Sequence, residues 1–219
     1  AKELGFSGNY FGKFPGGAGY DMNQFQKYFM PFEKRNTILV KGYEHRFGRG
    51  VNVLKALNSI REHLTSYEIV IFSAHQSVRE YARDHFNDNS LKIKVLSKDS
   101  TLDHADFLTL MASSLIYIGN SISDGMPNTL LEALCFGVFP IQSNPGGATE
   151  EVIDDYKTGF LIEDPENIME ISSKISLALN NLQLMENAFN HNSNYFQKEL
   201  EFEIIQKQII KAYNRCIQS

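Results

Sequence analysis

From residue 37 onward the apolar positions fall into two alternating periods. Residues 37–41 form a short apolar run ended by Gly42, the length of a strand. Residues 52–64 then place Val53, Leu54, Leu57, Ile60 and Leu64 at helical spacing. The same alternation predicts strands at 67–73, 91–96, 115–118, 138–142 and 159–162, with helices at 78–86, 103–113 and 128–136 and a short helix at 149–154. Helices near 165–180 and 202–216 follow, the last with Phe202, Ile205, Ile209, Tyr213 and Ile217 on a face expected to pack on the core. Strands separated by helices through short links predict an α/β domain, a Rossmann-like doubly wound parallel sheet of about six strands. Ligands of such sheets bind beyond the carboxyl ends of the strands, so chemistry is expected in the loops after strands one, three, four and five.

The first 36 residues carry no such period. Gly5, Gly8, Gly12, Gly16, Gly17 and Gly19, with Pro15 and several aromatics, read as an irregular arm or interdomain linker ahead of a nucleotide-binding domain at 37–219. Gly17-Ala18-Gly19-Tyr20-Asp21-Met22 fails as a dinucleotide fingerprint, because Met22 stands at the third glycine and no strand precedes it.

Composition narrows the function classes. With 219 residues, 42% of them hydrophobic, the chain can bury a core without disulfides or structural metal. It has 21 Lys and Arg against 26 Asp and Glu, a net charge of −5, and so lacks the basic footprint of a nucleic-acid binder. No apolar run approaches the ~20 residues of a membrane span, and the first residues lack the basic and apolar regions of a signal peptide. Cys135 and Cys216 match no metal or redox spacing. Cys135, within an apolar run, is expected to be a reduced core residue, which suggests a cytoplasmic setting. The six histidines form no zinc-type pattern, so no metal site is expected.

The most informative stretch runs from 120 to 164. Asp124 and Glu132 lie eight residues apart, the first in the loop after the fourth strand and the second in the next helix. Free N–H groups and the dipole at that helix start, around Pro127, Asn128, Thr129 and Leu130, make an anion site. A phosphate there would leave a sugar near Asp124, Gly125 and Met126, with Glu132 accepting from ribose hydroxyls. The pair therefore suits a nucleoside diphosphate-sugar. Gly146 and Gly147 fit either a close backbone approach to that ligand or an ordinary strand-to-helix turn. Glu150 and Glu151 are expected to cap the helix they open.

These residues carry a resemblance. The chain resembles the C-terminal, donor-binding lobe of a GT-B glycosyltransferase of the large family 4, or group 1, type. That family carries Glu-x7-Glu running into a Leu-Glu-Ala-x-x-x-Gly block, then a Gly-Gly-x-x-Glu turn and a Gly-x-Leu-Val/Ile strand. The counterparts are Asp124 and Glu132, the block from Leu131 to Gly137, the turn from Gly146 to Glu150, and Gly159-Phe160-Leu161-Ile162. Upstream, Gly19-Tyr20-Asp21 and Phe25 are similar to the segment that enters this lobe. Residues 42–50, Gly-Tyr-Glu-His-Arg-Phe-Gly-Arg-Gly, occupy the place of the loop whose cations bind the donor diphosphate. That loop is no Walker A motif, since Arg-Gly follows where Lys-Ser/Thr would stand.

The resemblance implies retaining transfer from a nucleotide-sugar, such as a UDP- or GDP-sugar, to a hydroxyl acceptor, with surface-polysaccharide assembly as a setting. Asp124, Arg49 and Glu132 are implied as the catalytic set, with Gly42, Tyr43, Arg46 and Ser97 joining Gly125, Met126, Asn128, Thr129 and Leu130 around the donor. Asp124 is one methylene shorter than the usual Glu, and Tyr43 stands where an Arg is usual. Arg49 is then the first phosphate-binding cation, with Arg46 or Lys41 as the second, while His45 is expected to be an exposed loop residue. No cofactor is implied beyond the donor substrate. The glycan or lipid-linked acceptor is expected to need a second, N-terminal lobe that this stretch of chain lacks. A nucleotide-sugar epimerase of the same two-lobed type and a non-catalytic binding module are the alternatives.

Overall fold

The computed structural model describes Gly5, Ser7, Gly8 and residues 19–88, 90–100 and 102–218. Its centre is a six-stranded sheet of β1 (Thr37–Lys41), β2 (Glu68–Ala74), β3 (Lys92–Ser97), β4 (Ser114–Gly119), β5 (Phe139–Ser143) and β6 (Phe160–Ile162). All neighbours pair in parallel, in the order β3-β2-β1-β4-β5-β6. The winding reverses between β1 and β4, and this switch point opens a crevice at the carboxyl edge.

Period-two alternation divides the core. Ile38, Val40, Ile69, Ile71, Ile116 and Ile118 face one layer, whereas Leu39, Val70 and Tyr117 face the other. The first layer holds α2 (Gly50–Ser59), α3 (Gln76–His85) and α6 (Ile168–Leu179). The second holds α1 (Met22–Tyr28), α4 (His104–Ala112) and α5 (Asn128–Cys135). Both faces being covered, β4, β5 and β6 are buried along their whole length and β1 along all but Lys41, even at the polar Gln142 and Ser143 of β5. The edge strand β3 instead exposes Lys92 and Lys94, charges that discourage pairing with another sheet.

Four elements differ from expectation. Within the stretch expected to be irregular, Met22–Tyr28 is helical: Asp21 caps it by accepting from Asn23 N–H at 3.0 Å, and Phe25 stacks on Phe136 at 4.7 Å. Most of residues 1–18 lie outside the described residues. The predicted helix at 149–154 is only a 3-10 turn, Thr149–Glu151, capped by Asn144 Oδ1 rather than by its own acids. An unpredicted helix, α7 (Leu182–Glu199), packs against α5 and α6. It escapes a hydrophobic pattern because its buried face includes Asn192 and Ser193; Asn192 Nδ2 donates to Thr158 O at 2.9 Å. In α8 (Phe202–Gln218), Ile205 and Ala212 are buried, but Phe202, Tyr213 and Ile217 are exposed, contrary to the expected packing face. Among the described residues no helix is long and apolar enough to cross a membrane.

Candidate functional site

The loop from β1 to α2 turns sharply because two glycines allow it. A Cβ on Gly42 would lie 2.7 Å from Ala74 Cα, and one on Gly48 would collide with the Tyr43 carbonyl. Gly42 instead joins the β2 end through its N–H to Phe72 O at 2.8 Å and its carbonyl to His75 N–H at 3.0 Å. Tyr43 packs edge-on against His75 at 5.1 Å and near His45 at 6.2 Å. The first N–H groups of α2 are largely satisfied within the loop: Gly50 N–H donates to Tyr43 O at 3.0 Å and Val51 N–H to Glu44 Oε2 at 2.8 Å. Glu44 therefore caps α2, and the Gly50 and Val51 donors are already taken.

The β1 and β4 loops are stitched together across the switch point. Gly48 forms an antiparallel bridge with Ser121, Arg49 N–H donates to Asn120 O at 2.9 Å, and Ile122 N–H donates to Phe47 O at 2.8 Å. Arg49 and the Asp124 loop thus border one crevice. Asp124 Oδ1 accepts from Gly125 N–H at 2.9 Å, and Oδ2 lies 3.8 Å from Lys41 Nζ, which also sits 5.6 Å from the Tyr43 ring centre. Lys41 is thus the cation brought to Asp124. Arg46 is directed elsewhere, its guanidinium 5.4 Å over the exposed Phe47 ring.

Asn128 and Thr129 N–H take no partner among the described residues, whereas Leu130 N–H closes back onto Pro127 O at 3.1 Å. The open donors of α5 are therefore its first two, since Pro127 is the N-cap. Leu130 itself is fully buried, Met126 packs partly into the core, and the Thr129 hydroxyl is 2.9 Å from Tyr117 OH beneath the helix. Asn128 presents its carbonyl to Tyr20 OH at 3.2 Å.

Glu132 lies one turn further in and is 9% exposed. Burial pushes its carboxyl above the usual value, opposed by His104, whose Nε2 is 3.5 Å from Glu132 Oε1. Burial also raises the Tyr20 phenol, and the neighbouring Glu132 charge adds to that shift. Gly146 and Gly147 both adopt φ of +78°, a left-handed pair that an L side chain would strain. Glu150 does not cap: its carboxylate accepts from Asn144 Nδ2 at 3.1 Å. Ser97 is on the outermost strand, its hydroxyl accepting from Arg79 Nη1 at 3.0 Å. At ~4.8 Å per strand it stands roughly 15 Å from β4 across the carboxyl edge.

Glu166, Asn52, Asn120, Glu44 and His104 join these residues without having been singled out by the sequence. Arg49 Nε donates to Glu166 Oε1, and Asn52 Nδ2 donates to Glu166 Oε2 at 2.9 Å. Those two bonds hold the Glu166 carboxyl below the usual range. Asn120, 4% exposed, donates through Nδ2 to Arg49 O at 3.3 Å and Pro165 O at 2.9 Å. No local spacing marks these residues; only the folded crevice brings them together. Among the described residues no three His, Cys, Asp or Glu side chains converge as a metal site.

A doubly wound parallel sheet whose β1 and β4 loops meet at the switch point is a Rossmann-like lobe. The family model for glycosyl transferases group 1 matches residues 32–194, and the chain belongs to that family. No curated protein matches it by sequence. Among solved structures, a glycosyltransferase from Rickettsia africae ESF-5 superposes with a TM-score of 0.74 at 19% identity, covering 92% of this chain and 56% of its own. Sucrose-phosphate synthase from Thermosynechococcus elongatus gives 0.71 at 15% identity, over 91% and 51%. Anabaena HepE in complex with UDP-glucose gives 0.70 at 14% identity, over 90% and 56%. These likenesses give the fold, one Rossmann-like lobe of a GT-B glycosyltransferase, and the chain spans about half the length of each.

Proposed function

We propose that this lobe binds a nucleoside diphosphate-sugar in the β1/β4 crevice and serves as the donor half of a retaining glycosyltransferase. The observation that supports this is the stitching of the two loops, which sets Arg49 beside the chain that runs from Asn120 through Asp124 to the open N–H groups of α5. Asn128 and Thr129 N–H with the Arg49 guanidinium would take the diphosphate, whose charge grows as the bond to the sugar breaks. Preorganised donors aimed at such charge lower the barrier. Glu132 would accept from the ribose hydroxyls. Asp124, held to Lys41 and one methylene short of the family's usual Glu, would face the sugar.

The sheet-edge span from β4 to Ser97 suits a nucleotide lying across the strand ends, with the base at the Ser97–Lys98 loop. The UDP-glucose held by HepE supports a uridine donor. Group 1 resemblance supports retention and a hydroxyl acceptor; assembly of a surface polysaccharide in the cytoplasm is the setting we favour. The acceptor would engage a second lobe.

Calorimetry with UDP, GDP and their sugars tests the proposal. We expect binding by the unaltered chain, lost or weakened at least tenfold in Arg49→Ala and Glu132→Ala, on the scale of a charge-assisted contact of about 1.5–3 kcal/mol. No binding of either nucleotide at millimolar concentration would exclude a donor site.

A further inference from the structure

We infer that Glu166, in the loop after β6, is a positioning residue that braces Arg49 for the donor diphosphate. The inference rests on the donor site proposed above and adds the residue that aims its principal cation.

The guanidinium is divided among distinct partners. Its Nε donates to Glu166 Oε1, and Nη1 donates to Gly48 O at 2.7 Å and Arg46 O at 3.4 Å. Nη2 takes no partner among the described residues. A planar fork held at Nε and at Nη1 is restrained, so its remaining N–H groups keep a set direction.

Glu166 could instead be a latch that the ligand displaces, but a latch must be able to withdraw. The loop carrying it is tied along its length. Glu163 N–H and Asp164 N–H donate to the two oxygens of Glu170 at 2.8 and 3.0 Å. Glu166 N–H donates to Asp164 Oδ1 at 2.9 Å. Pro165 O accepts from Asn52 Nδ2 at 3.2 Å and from Asn120 Nδ2 at 2.9 Å, both side chains being at most 9% exposed. Asn52 also holds the second oxygen of Glu166. The carboxylate is therefore anchored from the β4 end, from α2 and from its own loop. Its charge opposes an approaching phosphate, yet the Glu166 side chain is 56% exposed and solvent screens that repulsion. The gain is a cation already in place, so ligand binding need not order it.

The experiment is titration calorimetry of the full 219-residue chain and of Glu166→Ala, Glu166→Gln and Glu166→Asp. The ligands are UDP, GDP, inorganic pyrophosphate and the matching nucleosides, with thermal unfolding of each variant in parallel. Glu166→Ala should weaken UDP and pyrophosphate binding about tenfold, the order of one lost charge-assisted contact, and leave nucleoside affinity unchanged. Glu166→Gln, whose oxygen still accepts from Arg49 Nε, should stay within about threefold. Glu166→Asp keeps the charge but withdraws it by one methylene, and should resemble Glu166→Ala. The aspartate variant also serves if the alanine variant fails to fold. Unchanged or tighter diphosphate binding by Glu166→Asp and Glu166→Ala overturns the inference, as does an equal loss for the nucleoside. Failure of the unaltered chain to bind UDP or GDP removes the donor site itself, and this inference with it.

Discussion

Glu132 shows how one buried carboxyl makes stability depend on pH. Its carboxylate is buried, and among the described residues His104 alone offsets the lost hydration, so the folded state holds the proton more tightly than the unfolded chain does. Between the ordinary value of 4.5 and the raised one, the folded form carries more protons, so stability falls as pH rises through that window and stays lower above it. Glu132→Gln should therefore raise the melting temperature at neutral pH, and the gain should vanish below pH ~4.5, where both states are protonated. Thermal unfolding at pH 4 and pH 7.5 reads the difference; an equal gain at both would overturn this account. The same variant should bind nucleotide more weakly. Arg35 is the opposite case, a buried cation with structural work. It donates through Nε and Nη2 to Met30 O at 2.9 and 2.7 Å, and its guanidinium lies 4.7 Å over the Phe189 ring. Burial lowers its pKa to about 10, leaving it charged at neutral pH. Arg35→Ala should cost about 2–4 kcal/mol in denaturant unfolding, since it strips Met30 O and the buried Ser114 O of their donor and empties space between the Phe29 and Phe189 rings. Nucleotide affinity should not change.

At the level of helices and strands, α5 is the part most plainly written in the amino-acid order. Its end is a Schellman turn: Val138 N–H reaches Ala133 O at 2.9 Å and Gly137 N–H reaches Leu134 O at 3.0 Å. Gly137 adopts φ of +73°, and a Cβ there would come within 2.7 Å of Phe189 O on α7. The glycine that closes the Leu-Glu-Ala block thus ends one helix and admits another. Gly137→Ala should destabilise the fold by about 1–3 kcal/mol, measured by urea unfolding, more than the left-handed backbone alone accounts for. That block and the alternating strands were legible, because each depends on residues close in sequence, whereas Gly146 and Gly147 fitted two readings. Helix α7 was not. Asn192 occupies a core position only because Thr158, distant in sequence, offers it a carbonyl. The exposed apolar side chains of α8 misled in the other direction: Phe202, Tyr213 and Ile217 have helical spacing, but the helix rests on Ile205 and Ala212.

Across the whole chain, binding and folding should be coupled. A ligand that engages only the folded crevice adds stability with its concentration, about 2.7 kcal/mol at 100 times its dissociation constant. In a chain of this length, that should lift the melting temperature by roughly 5–10 °C, at 2–4 °C per kcal/mol. Scanning calorimetry with and without saturating UDP checks this, and Arg49→Ala should abolish the shift; a shift that persists in that variant would place the nucleotide elsewhere. Asp124 and Glu132 could be singled out by their spacing across a loop and a helix start, and Arg49 by the resemblance of its loop to the family's. So could the parallel sheet with helices on both faces, since a strand buried on both faces is largely apolar. What surrounds those residues could not be read that way. Glu166 and Asn52 are 114 positions apart, and Lys41 meets Asp124 only because β1 and β4 are neighbours in the sheet. Local order carried the elements and the chemistry at their ends. Strand order at the switch point selected which loops touch, and therefore which charges face one another.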